Sequence, residues 1–201
     1  MKSNVCRLDE TELDSILSEV DKSAVYNSLD KKQTIRLRLL AEELIRMLPE
    51  LLKYCDGEFW VENEDKEFSL HARVVPTNFE PDTFDKLLSV SKSGKNAAAE
   101  GIVNKIRFAV EYMLGVYSDK TVLEAASYSN SMYDYGMTSN PYWSNSWSLL
   151  RYMNSIEENH NNGESDEEWD ELEKSIFANL ADDVIVGIKG SQVDIIIKKK
   201  F

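Results

Sequence analysis

The chain has 201 residues with 23 Lys+Arg against 36 Asp+Glu, a net charge of −13, and 42% hydrophobic residues. That apolar content is enough for one sizeable core, so wholesale disorder is excluded. The negative surface repels phosphate backbones and anionic headgroups, which excludes nucleic acid and membrane as main partners.

The N-terminus (MKSNVCR) has no apolar leader, and no stretch approaches the ~20 apolar residues of a membrane span. Two cysteines, Cys6 and Cys55, form no CxxC pair, and two histidines, His71 and His160, are too few for a Cys/His zinc site. A cytoplasmic protein with reduced thiols and no metal site is expected.

A short strand is expected at 5–8. Asp9-Glu10-Thr11-Glu12 has the form of a capping box, an acceptor followed by Glu three residues on, and Leu13, Ile16, Leu17 and Val20 follow at helical spacing. This predicts a helix at 10–24. Asp30-Lys31-Lys32-Gln33 repeats the capping spacing ahead of the clearest helix, whose stripe is Leu37, Leu40, Ala41, Leu44, Leu48, Leu51 and Leu52. Pro49 lacks an amide donor and is expected to bend or divide that helix near its end.

Residues 58–62 are strand-like, 63–66 form a polar turn, and Phe68, Leu70, Ala72 and Val74 then alternate with Ser69, His71 and Arg73. An antiparallel hairpin with one buried face follows. His71 reads as an ordinary sheet-surface side chain. Pro76 and Pro81 bracket a loop, a short helical piece covers 82–88, and Asn96 can cap a helix starting at Ala97, with its stripe at Ile102, Ile106, Ala109, Val110, Met113 and Leu114.

Residues 117–152 are crowded with Ser, Asn, Tyr and Trp, and an acidic run at 157–173 follows with Trp169 and Leu172 as its apolar anchors. Val184, Val186 and Ile188 alternate, as do Val193, Ile195 and Ile197, which predicts a closing hairpin. The expected fold is α+β, a two-layer sandwich of a mixed, mostly antiparallel sheet with helices on one face.

Two stretches carry a family resemblance. Residues 40–47 (LAEELIRM) look like an N-box helix; residues 84–94 (FDKLLSVSKSG) followed by 99–106 (AEGIVNKI) look like an ATP lid and glycine-box helix. Together with the closing hairpin, they resemble the gyrase, histidine-kinase and MutL ATPase superfamily (GHKL, or Bergerat fold), in layout the anti-sigma-factor kinases. The resemblance covers 5–116 and 182–200. It implies a single domain over 1–201 with an aromatic and acidic insertion at 117–175, and ATP or ADP as cofactor.

By the same resemblance Glu43 is the catalytic base that polarises water. Met47, one turn on, stands where the family has an Mg²⁺-binding Asn; if Glu42 were the base, Arg46 would stand there. Thioether sulfur is a poor ligand for a hard cation and arginine repels one, so Mg²⁺ binding and hydrolysis are disfavoured. The adenine-reading Asp and paired glycines have no counterpart at 74–82. Lys92, Ser93, Gly94, Lys95, Asn96 and Gly101 remain as nucleotide-binding candidates around a helix N-terminus that can hold a phosphate. The same residues also read as a polar loop before a capped helix.

An alternative is a non-enzymatic interaction module that contacts a protein partner through Tyr133, Tyr135, Tyr142, Trp143 and Trp147, because Tyr and Trp give large contact area at small entropy cost. Those aromatics equally read as packing of an irregular segment.

Overall fold

The computed structural model describes residues 1–8, 12–51, 54–77, 101–118, 137–140, 143–161, 166–189 and 191–201. In chain order the elements are β1 (Cys6–Arg7), α1 (Leu13–Tyr26), α2 (Lys31–Leu51), β2 (Tyr54–Glu64), β3 (Glu67–Pro76), α3 (Gly101–Ser118), β4 (Met137–Asn140), β5 (Trp143–Ser148), α4 (Leu149–Asn161), α5 (Asp166–Lys174), α6 (Ile176–Leu180), β6 (Asp183–Lys189) and β7 (Gln192–Lys200). The strands form one sheet in the order β1-β2-β3-β7-β6-β5-β4. Every described strand pair is antiparallel, so the α+β class stands while no parallel pair of a mixed sheet is found among the described residues.

Local chemistry explains the first half. The Gln33 amide donates to Asp30 Oδ1 at 2.9 Å and the Asp30 amide to Gln33 Oε1 at 3.0 Å, a reciprocal capping box that starts α2. The other expected box lies partly on 9–11, outside the described residues; α1 begins at Leu13, and its N-cap Glu12 makes no side-chain cap bond. At its other end, Ser28 takes φ 54° while the Leu29 and Ser28 amides return to the Ala24 and Val25 carbonyls at 3.0 Å each. This is a Schellman stop, and Leu29 packs against the core. Pro49 does not divide α2, which runs on to Leu51. Its missing N–H leaves the Ile45 carbonyl without a helical donor, but only two residues of the helix follow it.

The β2–β3 hairpin turns on Asp65 and Lys66, at φ 45° and 64°. Both are left-handed, as a tight two-residue loop requires. That turn sets the register, with Phe59 opposite Ala72 and Val61 opposite Leu70. Phe68, Leu70, Ala72 and Val74 are all buried, and β7 continues their face with Val193, Ile195 and Ile197. Val184, Val186 and Ile188 of β6 and Trp147 of β5 extend it across the sheet.

The buried helix residues belong to the same cluster as this face. α2 packs against α1, α3 and α6, and α3 packs on β5 and β6. Burial at about 25 cal/mol per Å² of apolar surface is what holds these layers together.

The segment expected as an insertion contributes to the sheet and to the core. Residues 143–148 add β5 to β6, and Trp147, Leu149, Tyr152, Ile156, Leu172 and Phe177 join the single core cluster. Asp183 of β6 fixes the start of α4: its Oδ1 accepts from Ser148 Oγ and from the Leu150 amide, both at 3.0 Å. The acidic run is anchored as expected, with Leu172 buried and Trp169 stacked on His160 at 5.0 Å.

Candidate functional site

The first candidate region is the contact between α2 and α3. The inner stripe of α2 buries Leu37, Leu40, Ala41, Leu44, Met47, Leu48 and Leu51. Glu43 lies off that stripe and is half-buried. Glu42 belongs to a surface network instead: Arg38 Nε donates to Glu42 Oε1 at 3.3 Å and Arg38 Nη1 to Asp21 Oδ2 at 2.6 Å. This ties α2 to α1.

Met47, expected beside a nucleotide, is 2% exposed and is a core residue. The physical reason is periodicity. Position 47 lies three residues beyond Leu44 and seven beyond Leu40, so one turn past Glu43 the helix has already rotated to its apolar side.

Gly101 opens the described part of α3. Arg107, two turns in, lays Nη2 on the Glu50 carbonyl oxygen at 2.6 Å. That carbonyl belongs to the last turn of α2, where acceptors have no partner within the helix. Among the described residues the buried Arg107 Nε–H has no hydrogen-bond partner. A guanidinium donor left unpaired between two helices suits an anion, because such a group costs free energy until an acceptor reaches it. Arg107 was not marked by any motif in the sequence; its position toward α2 depends on how the two helices pack. Lys92, Ser93, Gly94, Lys95 and Asn96 lie outside the described residues.

The second region is the sheet face turned away from the core. Trp60 of β2 stands opposite His71 of β3, and the rings stack at 4.7 Å with planes 6° apart. Lys2 Nζ lies 4.3 Å from the Trp60 ring and Arg73 Cζ 5.2 Å from it. Trp60 Nε1 donates to Glu62 Oε1 at 2.8 Å, and Arg73 Nε donates to Asp194 Oδ1 at 2.7 Å. The Asp194 carboxylate raises the Arg73 pKa.

Burial pushes the His71 pKa below its ordinary value, more than the nearby Glu62 carboxylate raises it. Nε2 is buried, lies 3.6 Å from Glu62 Oε2 and has no hydrogen-bond partner among the described residues. His71 is therefore not the plain surface residue expected. Trp60 itself is only 6% exposed. The N-terminus lies along β2, with the Lys2–Glu62 pair at 3.8 Å and the Val61 amide donating to Ser3 Oγ at 2.9 Å. The signal that could have found the stacked pair is the turn at 65–66, which makes Trp60 and His71 cross-strand partners.

Of the expected partner residues, Tyr133, Tyr135 and Tyr142 lie outside the described residues. Trp143 begins β5 opposite Asn140. Trp147 is corrected: at 1% exposed and opposite Val186, it is core and cannot form a contact surface.

Comparison of the chain with protein-family models, curated proteins and solved structures finds no match. Among the described residues no helix is long and apolar enough to cross a membrane.

Proposed function

We propose that the chain is a regulatory domain of the GHKL type that holds an adenine nucleotide weakly and does not hydrolyse it efficiently. The observation that carries the reading is Arg107. It joins α3 to the end of α2 through the Glu50 carbonyl and keeps one buried guanidinium N–H unpaired beside that contact. The N-box-like helix and the helix following the lid-like segment are thus neighbours, as a nucleotide cleft between them requires.

In this reading Arg107 contacts a phosphate oxygen. The same reading gives the orienting of water to Glu43, which is half-exposed on α2. Efficient hydrolysis is not expected, because the position one turn further carries a buried thioether in place of a metal-binding amide. Regulation then depends on the bound state of the domain and not on turnover.

Isothermal titration of the full chain with ATP, with and without Mg²⁺, tests the reading. The expected Kd is about 0.1–1 mM, or −5.5 to −4 kcal/mol, with little dependence on Mg²⁺ and with binding lost in Arg107→Ala. Absence of heat at millimolar nucleotide sinks the nucleotide reading. ATP turnover that vanishes in Glu43→Ala overturns the loss of hydrolysis.

A further inference from the structure

The α2 helix has a second stripe that the core does not use. Lys32, Ile35, Arg36 and Leu39 follow one another at i, i+3, i+4 and i+7, and all four are exposed. Ile35 is 48% and Leu39 40% exposed, on a helix that buries its other side completely. The first nine residues of α2, 31–39, hold four cations (Lys31, Lys32, Arg36 and Arg38) and no acid, in a chain whose net charge is −13. Arg38 is engaged with Asp21 and Glu42, whereas among the described residues neither Lys32 nor Arg36 pairs with a carboxylate.

We infer that this stripe docks an acidic amphipathic helix supplied by a partner protein. The two exposed apolar side chains, four residues apart on one face, match apolar anchors at the same spacing on a facing helix. The two unpaired cations beside them match carboxylates that flank such anchors, and charge complementarity of this kind selects the partner and its register. A second copy of this chain fits poorly. A two-fold contact through the stripe gathers four cations into one small interface with no carboxylate among the stripe residues. An anionic bilayer is opposed by the charge of the whole chain. The site lies N-terminal to Glu43 on the same helix and does not depend on the nucleotide reading.

Fluorescence-anisotropy titration of the full chain into a labelled four-turn peptide, with leucines at helical spacing flanked by glutamates, tests the inference. A scrambled peptide of the same composition serves as control. Saturable binding of the patterned peptide alone is expected. Arg36→Glu, Ile35→Ser and Leu39→Ser should each weaken it by about tenfold or more, as loss of an interface anchor does. Replacing the glutamates of the peptide by lysine should restore binding to Arg36→Glu. All three positions are exposed, so unchanged far-UV circular dichroism and urea midpoints are expected, and any variant failing that control leaves the other two to decide.

Failure of the wild-type chain to bind the patterned peptide overturns the inference. Equal binding of the scrambled peptide does so too, as does an effect of Arg36→Glu without any effect of Ile35→Ser and Leu39→Ser, which would reduce the contact to diffuse charge. Co-flotation with phosphatidylglycerol vesicles that Leu39→Ser abolishes reassigns the stripe to a lipid surface. A concentration-dependent dimer that Leu39→Ser dissociates reassigns it to self-association. Either result rejects the partner helix.

Discussion

Trp147→Ala separates a core tryptophan from one kept for a partner. Trp147 is 1% exposed, paired across β5–β6 with Val186, and its ring lies 6.2 Å from that of Tyr152 in α4. A buried aromatic of this size removes about 150–250 Å² from water. At about 25 cal/mol per Å² this is worth roughly 4–6 kcal/mol, and a realistic unfolded chain lowers it to about 3–5 kcal/mol. Tryptophan truncations in cores cost the same, about 3–5 kcal/mol.

For a chain of this length each kcal/mol moves Tm by about 2–4 °C, so a drop of roughly 6–20 °C is expected. Urea unfolding followed by far-UV circular dichroism should show the midpoint falling with the slope unchanged. A loss below about 1 kcal/mol, the size of an ordinary surface effect, refutes the placement of β5 in the core. A result of that kind would return Trp147 to the candidate partner surface.

His71 makes stability depend on pH in a window where carboxylates do not titrate. Its folded pKa lies below the unfolded value near ~6.5, so below that pH the unfolded chain binds more protons and stability falls as pH drops, levelling beneath the folded pKa. The groups facing it from β2, β3, β7 and the N-terminus are Glu62, Arg73, Asp194 and Lys2. His71→Phe keeps an aromatic ring against Trp60 and should flatten the urea midpoint between about pH 7.5 and 5.5; an unchanged slope rejects the assignment. Gly57→Ala tests the edge of the sheet. A Cβ there would lie 2.9 Å from Leu8 Cβ and 3.2 Å from Val74 Cγ1, so β1 must shift. The expected cost is about 1–3 kcal/mol, with faster hydrogen exchange at the Leu8 amide that now bonds the Gly57 carbonyl at 2.8 Å. Undiminished protection of that amide counts against the close approach.

Much of the fold is legible where the physics is local. The Asp30–Gln33 box depends on atoms three residues apart, and the alternation from Phe68 to Val74 depends on the two-residue period of a strand. The closing hairpin follows from the same period, and Leu172 and Trp169 anchor the acidic run as their apolar character indicates.

Other features depend on neighbours distant in sequence. The polar string Trp143–Ser148 reads as irregular, yet it becomes β5 because β6 offers an open edge and Trp147 meets Val186 there. Arg107 acquires its contact only when α3 lies against the end of α2, and His71 acquires its buried ring only when β2 brings Trp60 opposite. Met47, set beside a nucleotide by the resemblance, falls on the buried side of α2, where the helical period puts it, but which exposed stripe of that helix stays uncovered is settled only once every other element has packed. Hydrogen bonds and side-chain periods act within a few residues and are written in the chain. Burial, pKa and unpaired charge are properties of surroundings that exist only after folding.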